Sequence, residues 1–245
     1  FKLSGKGDYL GLFDNNGSAA SLIKPDYPQQ FANFSYGRNA SGGMAYLEQP
    51  TPGAPNATIS YVDKVDAPDF DNKGGFYDNA VTVTLSTHTP SSTIRYTTDG
   101  TTPTLENGSD YTTPLALAQV TTEKGHVIRA RAFRDGYISS NIKTHSYLIG
   151  QDARLLTSPS LIFAGDPQRS LYDPFGVMAI NGGTYSNNQW QPNGPDNYNN
   201  VINRGRSYER PIHAELYFTA GTVGYRINVG LRVAASSYSR PRMLL

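Results

Sequence analysis

Three stretches near the middle of the chain alternate apolar and polar residues with a period of two, and each ends in a turn bearing glycine or proline. That combination restricts the fold more than anything else in the sequence. In "AVTVTLS", Val81, Val83 and Leu85 lie on one side and Thr82 and Thr84 on the other. In "STIRYTTDG", Ile94 and Tyr96 alternate with Arg95 and Thr97. In "HVIRARAFRDG", Ile128, Ala130, Ala132 and Arg134 alternate with Val127, Arg129, Arg131 and Phe133. Successive side chains of a strand point to opposite faces, so each stretch is expected to be a strand with one face in a core. A further strand is expected at "KTHSYLIG", and the stretch around "PLALAQV" reads as a short non-strand interruption. Within "STIRYTTDGTTPT", Ile94 and Tyr96 are expected to face the core and Arg95 and Thr97 to face outward. Asp99 and Gly100 then make the turn, and Pro103 discourages a central strand.

Shorter alternations flank this centre. "GDYLGLFDNNG" places Tyr9, Gly11 and Phe13 opposite Leu10 and Leu12, with a hairpin turn at "DNNG". "EQPTPGAPN" carries three prolines and a glycine and is expected to separate a first domain, 1–56, from a second, 57–149. In the third, 150–245, "LLTSPSLIFAGDP" holds an apolar strand, and "RPIHAELYF" pairs with "GYRINVGLRVAAS", with Gly230 marking a bulge. Residues 182–205 read as a long loop. The expected class is all-β: tandem small β-sandwich domains followed by a C-terminal β-rich, loop-rich segment. Composition agrees, because 24 glycines, 16 prolines and 17% charged residues suit short strands and turns better than long surface helices.

Charge and cysteine usage exclude several functions. A formal net charge of +1 with no Lys/Arg-rich run argues against nucleic acid as a partner. With no cysteine there is neither a disulfide scaffold nor a thiolate metal site. No apolar run is long enough to span a bilayer, so membrane insertion is not expected. The chain starts at "FKLSGKGDYL" and stops at "RPRMLL", and both ends read as cuts through a longer protein whose export signal lies outside the chain. Asn-x-Ser/Thr sequons at Asn16, Asn33, Asn39, Asn56 and Asn107 matter only in a host that glycosylates them.

No catalytic constellation can be assembled from the sequence. His88, His126, His145 and His213 are far apart and read as structural or surface residues. The serines of "GSAAS" and "ASSYS" lack a nucleophile elbow, and "SGKGD" reads as a turn rather than a phosphate loop. Asp63, Asp66, Asp69 and Asp71 in "YVDKVDAPDFDN" could supply hard oxygen ligands to calcium, against the alternative of a solvated interdomain surface. Asp166 with Asp173 is a weaker candidate of the same kind. Trp190 and Tyr198, in an Asn-rich loop, could stack on sugar faces; the competing reading is that Trp190 anchors the loop by packing. Glu209 or Glu215 could pair with nearby arginines. Cofactors are therefore expected to be none, with calcium the one candidate.

Three resemblances add to this. "TIRYTTDGTTPT", "GSDYTTPLAL", "HVIRARAFRDGYISS" and "THSYLIG" occur in the order found in the chitobiase/β-hexosaminidase C-terminal-type sandwich domain, and residues 65–149 resemble that module. It implies a noncatalytic accessory domain of bacterial exported enzymes and surface proteins. "FKLSGKGDYLGLFDNNG" through "SYGR" to "PTPGAPN" is similar to the second half of a lamin-tail domain, an immunoglobulin-like sandwich whose opening strands are missing here. "SPSLIFAGDPQRSLYDPFGVM", "YERPIHAELYF" and "YRINVGLRVAASSYSRPRMLL" resemble the entry region of CotH-like, spore-coat-protein-kinase-like proteins over 155–245. Ser239 and Arg240 are the nearest matches to that family's motif, which departs here in "VAASSYSR" and "PRMLL", and the chain stops before its catalytic residues.

Together these give one leading expectation: a noncatalytic structural, adhesive or assembly-forming portion of a large modular exported bacterial protein, extracellular or at the cell surface. Its partners would be neighbouring domains, copies of the same protein, or cell-surface or matrix glycans. The alternatives are the targeting portion of a CotH-like kinase and a carbohydrate-binding module.

Overall fold

The computed structural model of the chain describes residues 2–56, 59–119, 125–150, 157–187, 189–203 and 205–233. It is almost entirely β, built from several small, mostly antiparallel sheets, as tandem small sandwiches require. Contacts divide it into two units. The first comprises the residues up to Val65 together with Arg134–Ser139, and the second Asp66–Phe133 with the described residues from Ser140 onward.

In the first unit, β1 (Asp8–Phe13) and β2 (Ala19–Tyr27) form a hairpin whose turn is held by Asp14, which accepts the backbone N–H groups of Asn16 and Ser18 at 2.9 and 2.8 Å. A second hairpin joins β3 (Ser35–Arg38) to β4 (Met44–Leu47). Its core is aromatic. Tyr46 is buried with its ring 5.0 Å from both Phe31 and Tyr36, and its hydroxyl donates to the Gln29 carbonyl at 2.6 Å. Val65 and Ile138 are buried beside a parallel bridge between Lys64 and Ile138.

The second unit contains the alternating stretches. Its strands are β5 (Asp69–Phe70), β6 (Gly75–Tyr77), β7 (Val81–Val83), β8 (Leu85–Ser86), β9 (Thr93–Thr97), β10 (Ser109–Asp110), β11 (Leu115–Leu117), β12 (His126–Phe133) and β13 (Lys143–Ile149). They are followed by β14 (Ser160–Ala164), β15 (Ile180–Asn181), β16 (Thr184–Ser186), β17 (Gln189–Gln191), β18 (Tyr198–Asn199), β19 (Arg210–Tyr217) and β20 (Val223–Leu231). A five-stranded sheet runs β10-β9-β12-β13-β6, accompanied by the pairs β7–β11 and β5–β8. Ile128, Ala130 and Ala132 of β12 are fully buried, with Val83, Leu85, Ile94, Leu117, Tyr147 and Ile149 also in the core. Fully burying one of the larger of these side chains stabilises the fold by roughly 1.5–3 kcal/mol. A three-stranded antiparallel sheet, β14-β19-β20, follows in the same unit.

Four local expectations are corrected. Residues 182–205 are not one long loop: Thr184–Ser186 pairs with Gln189–Gln191, and Tyr198–Asn199 pairs with Ile180–Asn181. "PLALAQV" is not an interruption: Leu115–Leu117 pairs with Val81–Val83, so its apolar residues serve a strand. Thr97 does not face outward but is buried, because its hydroxyl is satisfied locally by donating to the Thr101 carbonyl at 2.7 Å. Gly230 stays in register opposite Pro211, and the shift in this ladder falls at Leu216/Tyr217. What Gly230 provides is room, since a Cβ there would come within 2.5 Å of the Glu209 carboxylate.

Candidate functional site

The residues singled out from the sequence are each held by local partners. Asp63, in the first unit, accepts the Lys64 N–H at 2.7 Å. In the second unit, Asp66 accepts the Thr89 hydroxyl at 3.3 Å, and Asp69 lies 3.4 Å from the exposed His88. Asp71 accepts the backbone N–H groups of Asn72 and Thr84 at 2.6 and 2.7 Å. Burial alone would raise the Asp71 pKa, but these hydrogen bonds outweigh it and hold the carboxyl below its ordinary value. Asp173 accepts the Ile180 N–H at 3.1 Å. Among the described residues no three His, Cys, Asp or Glu side chains are gathered as metal ligands.

Trp190 sits on β17 opposite Tyr185 of β16, and its indole N–H donates to the Gly182 carbonyl at 2.9 Å. The ring lies against Gly183, where a Cβ would be 2.4 Å from the indole. Tyr198 is half-buried on β18, and its hydroxyl is buried without a hydrogen-bond partner. Burial raises the pKa of that hydroxyl. Ser239 and Arg240 lie outside the described residues.

The most concentrated chemistry in the second unit is a buried polar cluster on the face of β19 that alternation alone would assign to solvent. Glu215 is completely buried. One carboxylate oxygen, Oε2, accepts the Ser146 N–H of β13 at 3.1 Å. The other, Oε1, faces Arg226 Nε at 3.5 Å, His213 Nε2 at 3.6 Å and His145 Nδ1 at 3.8 Å. Arg226 also donates to the Gly74 carbonyl and lies with its guanidinium 5.5 Å from the centre of the Tyr217 ring. His213 Nδ1 contacts the Asn228 side-chain oxygen at 2.8 Å. Strand register explains this gathering. His213 and Glu215 of β19 stand directly opposite Asn228 and Arg226 of β20, so two alternations of equal phase place all four side chains on one face.

His145 belongs to this cluster but not as a cation. Its Nδ1 accepts the Gly74 N–H at 3.2 Å, which requires an unprotonated nitrogen there. Burial, and then the neighbouring Arg226, Lys143, His213 and Lys73, push its pKa from 6.5 to about 3. The 3.8 Å approach to Glu215 is therefore not an ion pair. The sign follows by linkage. Below pH 6.5 the unfolded chain protonates this imidazole, whereas the folded ring resists until about pH 3. Stability contributed by neutral His145 is thus fully present above pH 6.5 and lost as pH falls through that window. A His145→Gln variant is expected to show a flatter dependence of the urea midpoint on pH between 6.5 and 4 than the unaltered chain. Equal slopes would show that His145 does not carry the dependence.

A second set of contacts ties the turn after β9 to the segment after β14. Asp99 accepts the Thr101 hydroxyl and N–H at 2.6 and 2.9 Å, and Arg129 donates to the Gly100 carbonyl at 2.6 Å. Asp166 caps a single π-helical turn, Pro167–Leu171, by accepting the N–H groups of Gln168 and Arg169. Its other oxygen accepts the Thr102 N–H at 3.2 Å. Asp166 and Asp99, read from the sequence as possible ligand or turn residues, thus hold backbone in place.

These features define a β-sandwich module joined to a β-sheet extension by buried polar contacts. A sequence profile of the family described as Fn3 associated is similar to residues 83–147, which run from the end of β7 to within β13. The solved structure of Drosophila N-cadherin EC1-3 is similar at 9% identity, with 96% of this chain and 91% of that chain covered and a TM-score of 0.22. No curated protein matches the chain.

Sequence reasoning missed the Glu215 cluster as a unit. Glu209 and Glu215 do pair with arginines, Arg232 at 3.2 Å and Arg226 at 3.5 Å. The usable signal was the matched alternation of "HAE" in β19 with "RIN" in β20, which places complementary polar side chains across one ladder.

Proposed function

We propose that the chain is a noncatalytic structural and adhesive portion of a large, modular, exported bacterial protein, working outside the cell or at its surface. The observation that carries this reading is an exposed apolar sheet face. Leu161 and Phe163 of β14 share a face with Tyr225 and Ile227 of β20 across the β14-β19-β20 ladders. Their exposures are 49%, 44%, 43% and 49%. Contiguous apolar surface of this kind marks a place where protein meets protein. A neighbouring domain of the same polypeptide or a second copy of the chain would cover it. The resemblance of 65–149 to accessory sandwiches of exported enzymes supports the bacterial, extracellular setting. No helix among the described residues is long and apolar enough to cross a membrane.

The reading predicts self-association that depends on this face. Light scattering across a concentration series should show the mass rising above 26.7 kDa. Phe163→Glu with Ile227→Glu should return it to monomer without lowering the thermal midpoint, since both side chains are substantially exposed. A strictly monomeric chain at every concentration would remove the assembly reading.

A further inference from the structure

The second unit contains a cleft of about 590 Å³ whose lining includes Arg129 and Arg131 of β12, Asn141, Arg210 of β19, and Asn228 of β20. Ile142, Ile212 and Val229 also line it. That volume is within the usual range for a small-ligand site, roughly 300–1,000 Å³.

The charge in the cleft is unbalanced. Arg129 and Arg131 are two residues apart on β12, so both project from the face opposite the core residues Ile128, Ala130 and Ala132. Arg129 is 8% exposed; one terminal nitrogen donates to the Gly100 carbonyl, while its Nε is buried with no hydrogen-bond partner. Asp166 and Asp99 act on it electrostatically, without an ion-pair contact among the described residues. Arg131 donates through Nε to the Ser140 carbonyl at 2.8 Å and lies 5.5 Å from the Phe133 ring centre. No carboxylate pairs with it among the described residues. Burial pushes both guanidiniums below their ordinary pKa, so each sits where its charge is undercompensated. Arg210, whose Nε donates to the Phe175 carbonyl at 2.6 Å, is the third cation. The one acidic residue in the lining, Glu209, is engaged by Arg232 at 3.2 Å.

We propose that this cleft binds an acidic sugar, its carboxylate or sulfate held by Arg129 and Arg131 and its hydroxyls by Asn141 and Asn228. Guanidinium groups favour planar or tetrahedral oxyanions through paired charge-assisted hydrogen bonds. The aliphatic walls suit the C–H face of a pyranose, and the amides suit its hydroxyls. This inference goes beyond the structural reading and does not depend on it, because a chain that never self-associates could still bind here.

The test is calorimetric titration of the whole chain at low salt. The probes are glucuronate, galacturonate and galactose 6-sulfate, with glucose, galactose, inorganic phosphate and a carboxylate-terminated peptide as comparisons. The acidic sugars should bind, the neutral sugars should bind at least about tenfold more weakly, and added salt should weaken the acidic sugars alone. A sulfated sugar matching the uronates would identify the shared oxyanion chemistry; a preference for the uronates would identify carboxylate. Arg131→Gln should lower acidic-sugar affinity about tenfold or more, consistent with losing a hydrogen bond to a charged group. Asn141→Asp, at an exposed position, adds a carboxylate to the cleft and should lower affinity similarly even if Arg131→Gln fails to fold. The proposal is overturned if no acidic sugar binds, or if neutral sugars, phosphate or the peptide bind as tightly. Unaltered affinity in a folded variant overturns it equally.

Discussion

Replacing Arg226 with methionine should destabilise the second unit by about 3–5 kcal/mol, the range for removing one partner of a buried ion pair. Glu215 has no access to solvent, and its Oε1 makes no hydrogen bond of good geometry. What compensates that oxygen is the Arg226 charge at 3.5 Å. Methionine fills much of the arginine stem but leaves the carboxylate buried beside an imidazole, His145, that stays neutral. The same substitution also removes the donor to the Gly74 carbonyl. Replacing both residues, Glu215→Leu with Arg226→Met, removes the uncompensated charge together with its partner. The double variant should therefore recover much of the loss, because apolar replacement of a buried pair is often neutral or stabilising. Urea unfolding at pH 7, followed through Trp190, reads this directly: Trp190 is the chain's single tryptophan and belongs to the same unit. A single-variant cost under about 1 kcal/mol would place the pair with surface salt bridges and contradict its burial.

This cluster also shows where sequence reading stops. Period-two alternation located β9, β12, β13 and β19, because each has at least one face in a core and the chain advertises that face locally; β20 follows the same alternation although none of its residues is buried. Alternation cannot tell a polar face that meets water from one that meets a second sheet. Alternation alone would put His213, Glu215 and Tyr217 on the wet side of β19, yet all three are buried, as are Ile212 and Ala214 on the other side. The partners that make this tolerable, Gly74, His145, Ser146 and Arg226, are brought in from three other parts of the chain. No spacing rule links them. Glycine carried a similar ambiguity: Gly230 looked like a bulge, whereas its purpose is to leave space for Glu209. The cationic cleft was equally hidden, since "HVIRARAF" displays two arginines but not the absence of a carboxylate opposite them.

Gly100 separates conformational strain from close packing at the turn that patterned the sequence most clearly. Gly100→Ala should cost about 2–5 kcal/mol, from two sources. Its φ of +83° is one that a side chain adopts at a cost of roughly 1–2 kcal/mol. An added Cβ would also lie 2.7 Å from the backbone carbonyl oxygen of Gly165, and overpacking of this kind typically costs a further 1–3 kcal/mol. Gly165 cannot yield freely. The next residue, Asp166, caps the following turn and accepts the Thr102 N–H, while the Gly100 carbonyl is held by Arg129. Gly17 supplies the control. Its φ is +81° and a Cβ there meets nothing within 4 Å, so Gly17→Ala should show the strain alone, about 1–2 kcal/mol. Gly100→Asn sharpens the comparison, because asparagine tolerates a left-handed backbone but still carries the Cβ. If contact with Gly165 dominates, asparagine should rescue little of the alanine loss in urea unfolding. A full rescue would mean that the turn is glycine for its backbone angle, and that the approach of the Gly165 segment is soft enough to move aside.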